Sequence, residues 1–158
     1  MIGKIIIAIF IIVYVFYWLY LKQYFEMRKV FKVLKRFLEA RDSLVLKLIP
    51  EVSDKKVLKE VLEGIEERKL NFSSGQNNAI MSDIKLNAKL KNFYDKYNQK
   101  EKNELEKEIF SKILSAEQNL KHIRKEYNQV VERYNQHLIR HKTICLKVIK
   151  MKPLDIYG

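Results

Sequence analysis

Residues that reverse a chain are scarce here: 158 residues include four glycines and two prolines. With 47% apolar and 32% charged residues as well, that composition predicts long helices and few turns, an all-α protein with enough chain for one real core. Cysteine occurs once, at Cys145, so no internal disulfide can form and nothing in the fold depends on an oxidising compartment. The patterns G-x-x-x-x-G-K, G-x-G-x-x-G, G-x-S-x-G and H-E-x-x-H are all missing. Phosphate cradles and the common hydrolase and zinc-protease sites therefore lack support, and the chain is expected to be neither an enzyme nor a cofactor carrier. Acidic residues are outnumbered by basic ones, 19 to 31, and the net charge of +12 calls for an anionic neighbour. The two ordinary candidates are nucleic acid and the anionic face of a membrane.

The first twenty residues favour the membrane. Residues 5–21 read IIIAIFIIVYVFYWLYL, seventeen positions without a charge, or about 25 Å of helix at 1.5 Å per residue. Twelve of them are Leu, Ile, Val or Phe, which together favour insertion by roughly 4 to 7 kcal/mol. Tyr14, Tyr17, Trp18 and Tyr20 crowd one end, where amphipathic rings belong at headgroup depth. No small-residue cleavage site follows, so a removed signal peptide is the weaker reading, as is a helix buried in a soluble core.

Charge gives the orientation. Lys4 stands alone on one side, whereas Lys22, Arg28, Lys29, Lys32, Lys35 and Arg36 follow the span closely. By the positive-inside rule residues 1–4 lie outside, 5–21 span, 22–150 form a cytoplasmic domain, and 151–158 are a tail.

Within that domain apolar residues keep helical spacing. Val30, Phe31, Leu34, Phe37, Leu38, Val45 and Leu48 continue the first helix to Pro50. Ser53 and Asp54 can cap a second helix with a stripe of Val57, Leu58, Val61, Leu62 and Ile65. The run NFSSGQNN, residues 71–78, reads as a loop, and a third helix with Ile80, Ile84, Leu86, Leu90, Phe93 and Tyr97 on or near one face follows. A long last helix is expected over about residues 102–150, broken near 111–115 or projecting beyond the rest, with an extended tail after it. Antiparallel packing of about four such helices returns the basic residues of 121–152 towards the start of the first helix. Lys147, Lys150 and Lys152 are then expected at the membrane surface with Lys22 to Arg36, facing anionic lipid.

The last helix repeats Tyr-Asn-Gln at Tyr127 and Tyr134. Numbered in sevens, Leu120, Tyr127, Tyr134, His141 and Val148 fall in one line, so the tyrosines read as seam residues. Asn128 and Asn135 follow at the seam's edge, where a carboxamide can bond to a neighbouring helix.

These residues also carry a resemblance. Glu117, Arg124, Tyr127-Asn128, Val131 and Tyr134-Asn135 resemble the C-terminal signature of the LemA family of bacterial membrane proteins. Lys147, Val148, Ile149, Lys152, Pro153 and Tyr157 are similar to the family's ending, and Leu48-Ile49-Pro50 to its Leu-Ile-Pro after the membrane span. The chain departs from the pattern at Glu51, where the family has Asn, and around His141 to Thr143. The resemblance implies a short outer terminus, one span, a cytoplasmic helical bundle and no defined chemistry. The expected role is a membrane-associated scaffold or interaction module, contacting anionic lipids, a second copy or another membrane protein.

Other readings stay open at this level. An extracytoplasmic coiled-coil subunit of an envelope or division complex needs the opposite topology. A membrane-tethered nucleic-acid binder would use the same basic, aromatic-interleaved stripe. His137, His141 and Cys145, at i, i+4 and i+8, are metal-ligand types on one helical face, but ligands stacked along one helix converge poorly on one ion.

Overall fold

The computed structural model describes residues 2–49, 54–99, 101–141 and 152–157. Its elements are four helices: α1 (Ile2–Leu48), α2 (Lys55–Ser74), α3 (Gln76–Asn98) and α4 (Glu104–Arg140). No strand occurs among the described residues. α1 packs chiefly on α4, and α2 chiefly on α3.

The starts of the helices follow from local chemistry. Asp54 caps α2, its Oδ1 accepting from the amides of Lys56 and Val57 at 3.1 and 3.2 Å. Its other oxygen takes the Lys96 ammonium at 2.7 Å, pinning the end of α3 beside the start of α2. α4 opens with a reciprocal box: Asn103 accepts from the Glu106 amide at 2.8 Å, and Glu106 accepts from the Asn103 amide at 2.7 Å.

The loop expected at 71–78 is the clearest correction. α2 runs to Ser74, α3 starts at Gln76, and Gly75 alone makes the reversal. Phe72 keeps the helix going by packing on Phe31 at 5.9 Å, and the Ser73 and Ser74 hydroxyls bond back to the Leu70 carbonyl. Gly75 has φ +128° and ψ 164°, a region essentially closed to residues with a Cβ, so one glycine does the work of a loop. Further along, Gly64 lets α2 and α3 close up, since a Cβ there would lie 2.9 Å from Leu86 Cδ1.

The last helix does not break between 111 and 115: α4 is continuous from Glu104 to Arg140. It runs antiparallel to α1, with Phe16 beside His141, Phe31 beside Tyr127 and Arg41 beside Glu117. Its length is absorbed by α1, which is longer still. The expected stretch of helix beyond 141 lies outside the described residues.

Two large apolar clusters fill the bundle, and a small third of Tyr134 and Leu138 lies beside them. The distal one joins Val45, Leu48, Val61, Ile65, Leu90, Phe93, Tyr97 and Ile113; the other joins Met27, Leu34, Leu38, Ile80, Leu120, Tyr127 and Val131. On every helix the break between them falls at a polar position: Arg41 and Asp42, Arg68, Asp83, Glu117. Residues 3–19 of α1 take no part in either cluster. Residues 3–19 are exposed except for half-buried Phe16, and the helix is long and apolar enough there to cross a membrane. A place in the chain's own core is thereby excluded for this segment.

Candidate functional site

The polar layer between the two clusters is a closed ionic network. Arg41, Asp42, Arg68 and Asp83 are each at most 1% exposed. Three guanidiniums (Arg41, Arg68, Arg124) meet three carboxylates (Asp42, Asp83, Glu117), so the layer is formally neutral. Asp83 is its centre: Oδ1 accepts from Arg68 at 2.8 Å and Arg41 at 3.2 Å, and Oδ2 accepts from Arg124 at 2.9 Å. Arg68 also pairs with Asp42 and donates to the Leu38 carbonyl at 3.3 Å. Asn87 Oδ1 accepts from Arg41 at 2.7 Å and Arg124 at 2.9 Å, and Glu117 accepts from the Tyr94 hydroxyl at 3.1 Å and from Arg41 at 3.4 Å.

Burial and charge pull the two aspartates apart. Burial pushes both carboxyls up, but Arg41, Arg124 and Arg68 together outweigh it at Asp83 and hold that group below the usual range. At Asp42 burial wins over Arg68 and Arg41, and the carboxyl is raised. Tyr94 is pushed up by burial and by Glu117.

A second feature lies on the adjoining face of α4. The tail, residues 152–157, is not a loose end but runs antiparallel along α4, held by its backbone. Asn128 donates through Nδ2 to the Tyr157 carbonyl and accepts through Oδ1 from the Tyr157 amide, both at 2.8 Å. Asn135 does the same with Leu154, at 2.8 and 3.0 Å. Asn77, at the start of α3, donates to the Pro153 carbonyl at 3.4 Å and accepts from the Asp155 amide at 3.1 Å. The Tyr134 and Tyr127 hydroxyls donate to the carbonyls of Lys152 and Asp155, at 3.3 and 3.4 Å.

The spacing explains the sequence repeat. Seven residues of helix advance about 10.5 Å, close to the roughly 10 Å covered by three extended residues. Side chains seven apart on α4 therefore meet backbones three apart on the tail. Leu154 packs with Leu21, Tyr24, Tyr134 and Leu138, while Tyr157, 8% exposed, packs at 5.9 Å on Tyr127. The Arg124 guanidinium lies over the Tyr157 ring at 5.2 Å, so one arginine joins the tail to the ionic layer.

The residues singled out from sequence thus divide. Tyr127 and Tyr134 are buried seam residues, as the heptad count predicts. Asn128 and Asn135 bond to the tail and not to a neighbouring helix, because the extended tail brings unpaired backbone groups to the seam's edge. Glu117 and Arg124 enter the ionic layer, so Arg124 is not a surface cation. Leu48 is fully buried in the distal cluster and Ile49 is half-buried beside it.

Among the cations, Lys22, Arg28, Lys29, Lys32 and Arg36 are exposed, and half-buried Lys35 pairs with Glu39 at 3.8 Å and covers the Phe72 ring. Lys152 and Pro153 are exposed, with their carbonyls bound as described. Pro50, Lys147, Lys150 and Cys145 lie outside the described residues. His137 and His141 meet at 4.8 Å with their rings tilted, and both pack against Phe16, His141 edge-on; no cluster able to hold a metal occurs among the described residues.

Sequence reasoning passed over Arg41, Asp42, Arg68 and Asp83, although their phase gives them away. Each falls in step with an apolar stripe, as in Leu34, Leu38, Arg41, Val45 and Val61, Ile65, Arg68, Phe72. A charge on the buried face of a helix needs a buried partner.

Compared with known protein families, curated proteins and solved structures, the chain matches none.

Proposed function

We propose that the chain is a single-pass membrane protein of LemA type, with a cytoplasmic helical bundle that serves as a scaffold or interaction module. The observation that carries this is the continuity of α1. One unbroken helix is apolar over 5–19, exposed there except for half-buried Phe16, and enters the bundle core at Met27, about 9 Å below the end of the apolar run. A bundle built on such a helix is held at a fixed height and tilt against the bilayer, which suits presentation of a surface.

The LemA assignment is supported by where the signature residues fall. Glu117 and Arg124 enter the ionic layer, and both Tyr-Asn pairs hold the tail, so these signature positions take part in organising the fold. The cytoplasmic orientation rests on the charges after the span. Lys22, Arg28 and Lys29 lie within about 12 Å of its end along α1, close to the physiological screening length, whereas Lys35 and Arg36 lie some 20 Å away and add little.

Full-length protein in its own membranes tests this. It should resist alkaline carbonate extraction, and Cys145 should react with an impermeant thiol reagent only after the cells are opened. Labelling in intact cells would overturn the orientation in favour of the extracytoplasmic reading.

A further inference from the structure

Two adjoining hollows, of about 230 and 270 Å³, follow the outer seam of α1 and α4 below the apolar run, and a third of about 390 Å³ adjoins them on α1 alone. Glu26 lines all three. The membrane-side end is walled by Trp18 and Leu19, 59% and 50% exposed, which belong to the bare apolar stretch. Next come the cations Lys22 and Arg133, then Glu26 and Lys29, and farthest from the span Glu126.

The order is chemically specific. Along the seam it reads apolar, cationic, then mixed with two carboxylates. Opposite charges line these hollows, yet among the described residues Lys22, Glu26, Lys29, Glu126 and Arg133 form no ion pair with one another or with anything else. Gln23 lines the hollow with Lys22 and Arg133, and its Oε1 is buried without a hydrogen-bond partner. Unpaired charges of both signs suit a bridging ligand that carries both charges.

We propose that this seam holds the headgroup of an aminophospholipid from the bilayer that α1 crosses: its acyl end against Trp18 and Leu19, its phosphate at Lys22 and Arg133, its ammonium at Glu26 and Glu126. A primary ammonium has N–H groups to donate to the two carboxylates, which a quaternary ammonium lacks. A purely anionic headgroup would satisfy the cations and leave the two glutamates facing like charge. The site rests on the membrane-anchored reading above and adds to it a headgroup preference that net charge alone does not predict.

The full-length chain in nanodiscs of equal phosphatidylethanolamine, phosphatidylglycerol and phosphatidylcholine, analysed by native mass spectrometry for retained lipid, tests the site. Phosphatidylethanolamine should be enriched among lipids that stay bound. Lys22→Gln with Arg133→Gln should lower retention of all three, by about fivefold for each cation that acts at the surface. Glu26→Gln with Glu126→Gln should abolish the preference for phosphatidylethanolamine over phosphatidylglycerol while leaving total retention in place. Equal retention of the three lipids by the unmodified chain, or an unchanged preference in the glutamate variant, would overturn the site. If the chain is instead released from its membranes by carbonate, the anchored reading fails and the site with it. A chain that stays inserted without headgroup preference refutes the site alone.

Discussion

Asn128 grips Tyr157 by both backbone groups, donating to its carbonyl and accepting from its amide at 2.8 Å each. A carboxamide has the same donor and acceptor pair as a peptide unit, so one side chain replaces a neighbouring strand. Asn135 repeats the arrangement on Leu154, one helical heptad and three tail residues away.

Asn128→Ala should therefore free the end of the tail at a cost of about 1 to 3 kcal/mol, the range for stranding partly buried backbone groups. Hydrogen exchange gives the readout: the Tyr157 amide should lose protection while the Leu154 amide, held by Asn135, and the amides of α2 and α3 keep theirs. Asn128→Asp should do at least as much harm, because a carboxylate cannot donate to the Tyr157 carbonyl. Unchanged protection at Tyr157 would show that apolar packing of its ring, not the asparagine, holds the tail.

Asp83→Asn should be among the most damaging single changes in the protein. Asp83 is fully buried and touches three guanidiniums, and removing its charge leaves the layer with an excess positive charge where no water can compensate. Breaking a buried pair in this way costs about 3 to 5 kcal/mol. Thermal unfolding by circular dichroism of the detergent-solubilised chain measures it. The exposed pair Lys59 and Glu63, disrupted by Glu63→Gln, should by contrast shift stability by less than about 1 kcal/mol.

Acid should act on the two aspartates in opposite senses. The folded-state carboxyl of Asp83 lies below its unfolded value, so its contribution is present above the ordinary carboxylate range and is lost as pH falls through the depressed value. That of Asp42 lies above its unfolded value, so the charged form opposes folding at neutral pH and protonation relieves it first. Stability measured against pH should hold level or rise slightly on approach to about pH 4, then fall steeply below it. Asp42→Asn should remove the rise and keep the fall. A monotonic loss starting near neutrality would contradict this division.

Gly75→Ala should destabilise the α2–α3 hairpin by about 1 to 3 kcal/mol through backbone strain alone, since nothing lies within 4 Å of the added Cβ. Chemical denaturation provides the number. Replacement by D-alanine, which accepts positive φ, should restore most of the loss; if it does not, the joint adopts another conformation.

Much of this architecture is set by the chain order of its residues. Scarce glycine and proline left helices as the only economical fold, the uncharged run of residues 5–21 marked the bare half of α1, and 3.6-residue periodicity placed Leu34, Ile65, Leu90 and Tyr127 inward. Those features are local, because a helix's apolar face is written in its own spacing. The phase of Arg41, Arg68 and Asp83 on the same stripes was equally local, and announced that charges would be buried.

Other features needed the tertiary structure. Gly75 could replace an eight-residue loop only because Phe72 had Phe31 to pack against, a contact across some forty positions of sequence. No spacing rule within α4 could say that Asn128 and Asn135 face an extended tail, since their partners Tyr157 and Leu154 arrive from a segment with no periodicity of its own. Nor could sequence say which carboxylate each buried arginine would meet. Those pairings depend on helices from all parts of the chain reaching one level of the bundle, and the long-range packing that sets this level decides which charges can be satisfied.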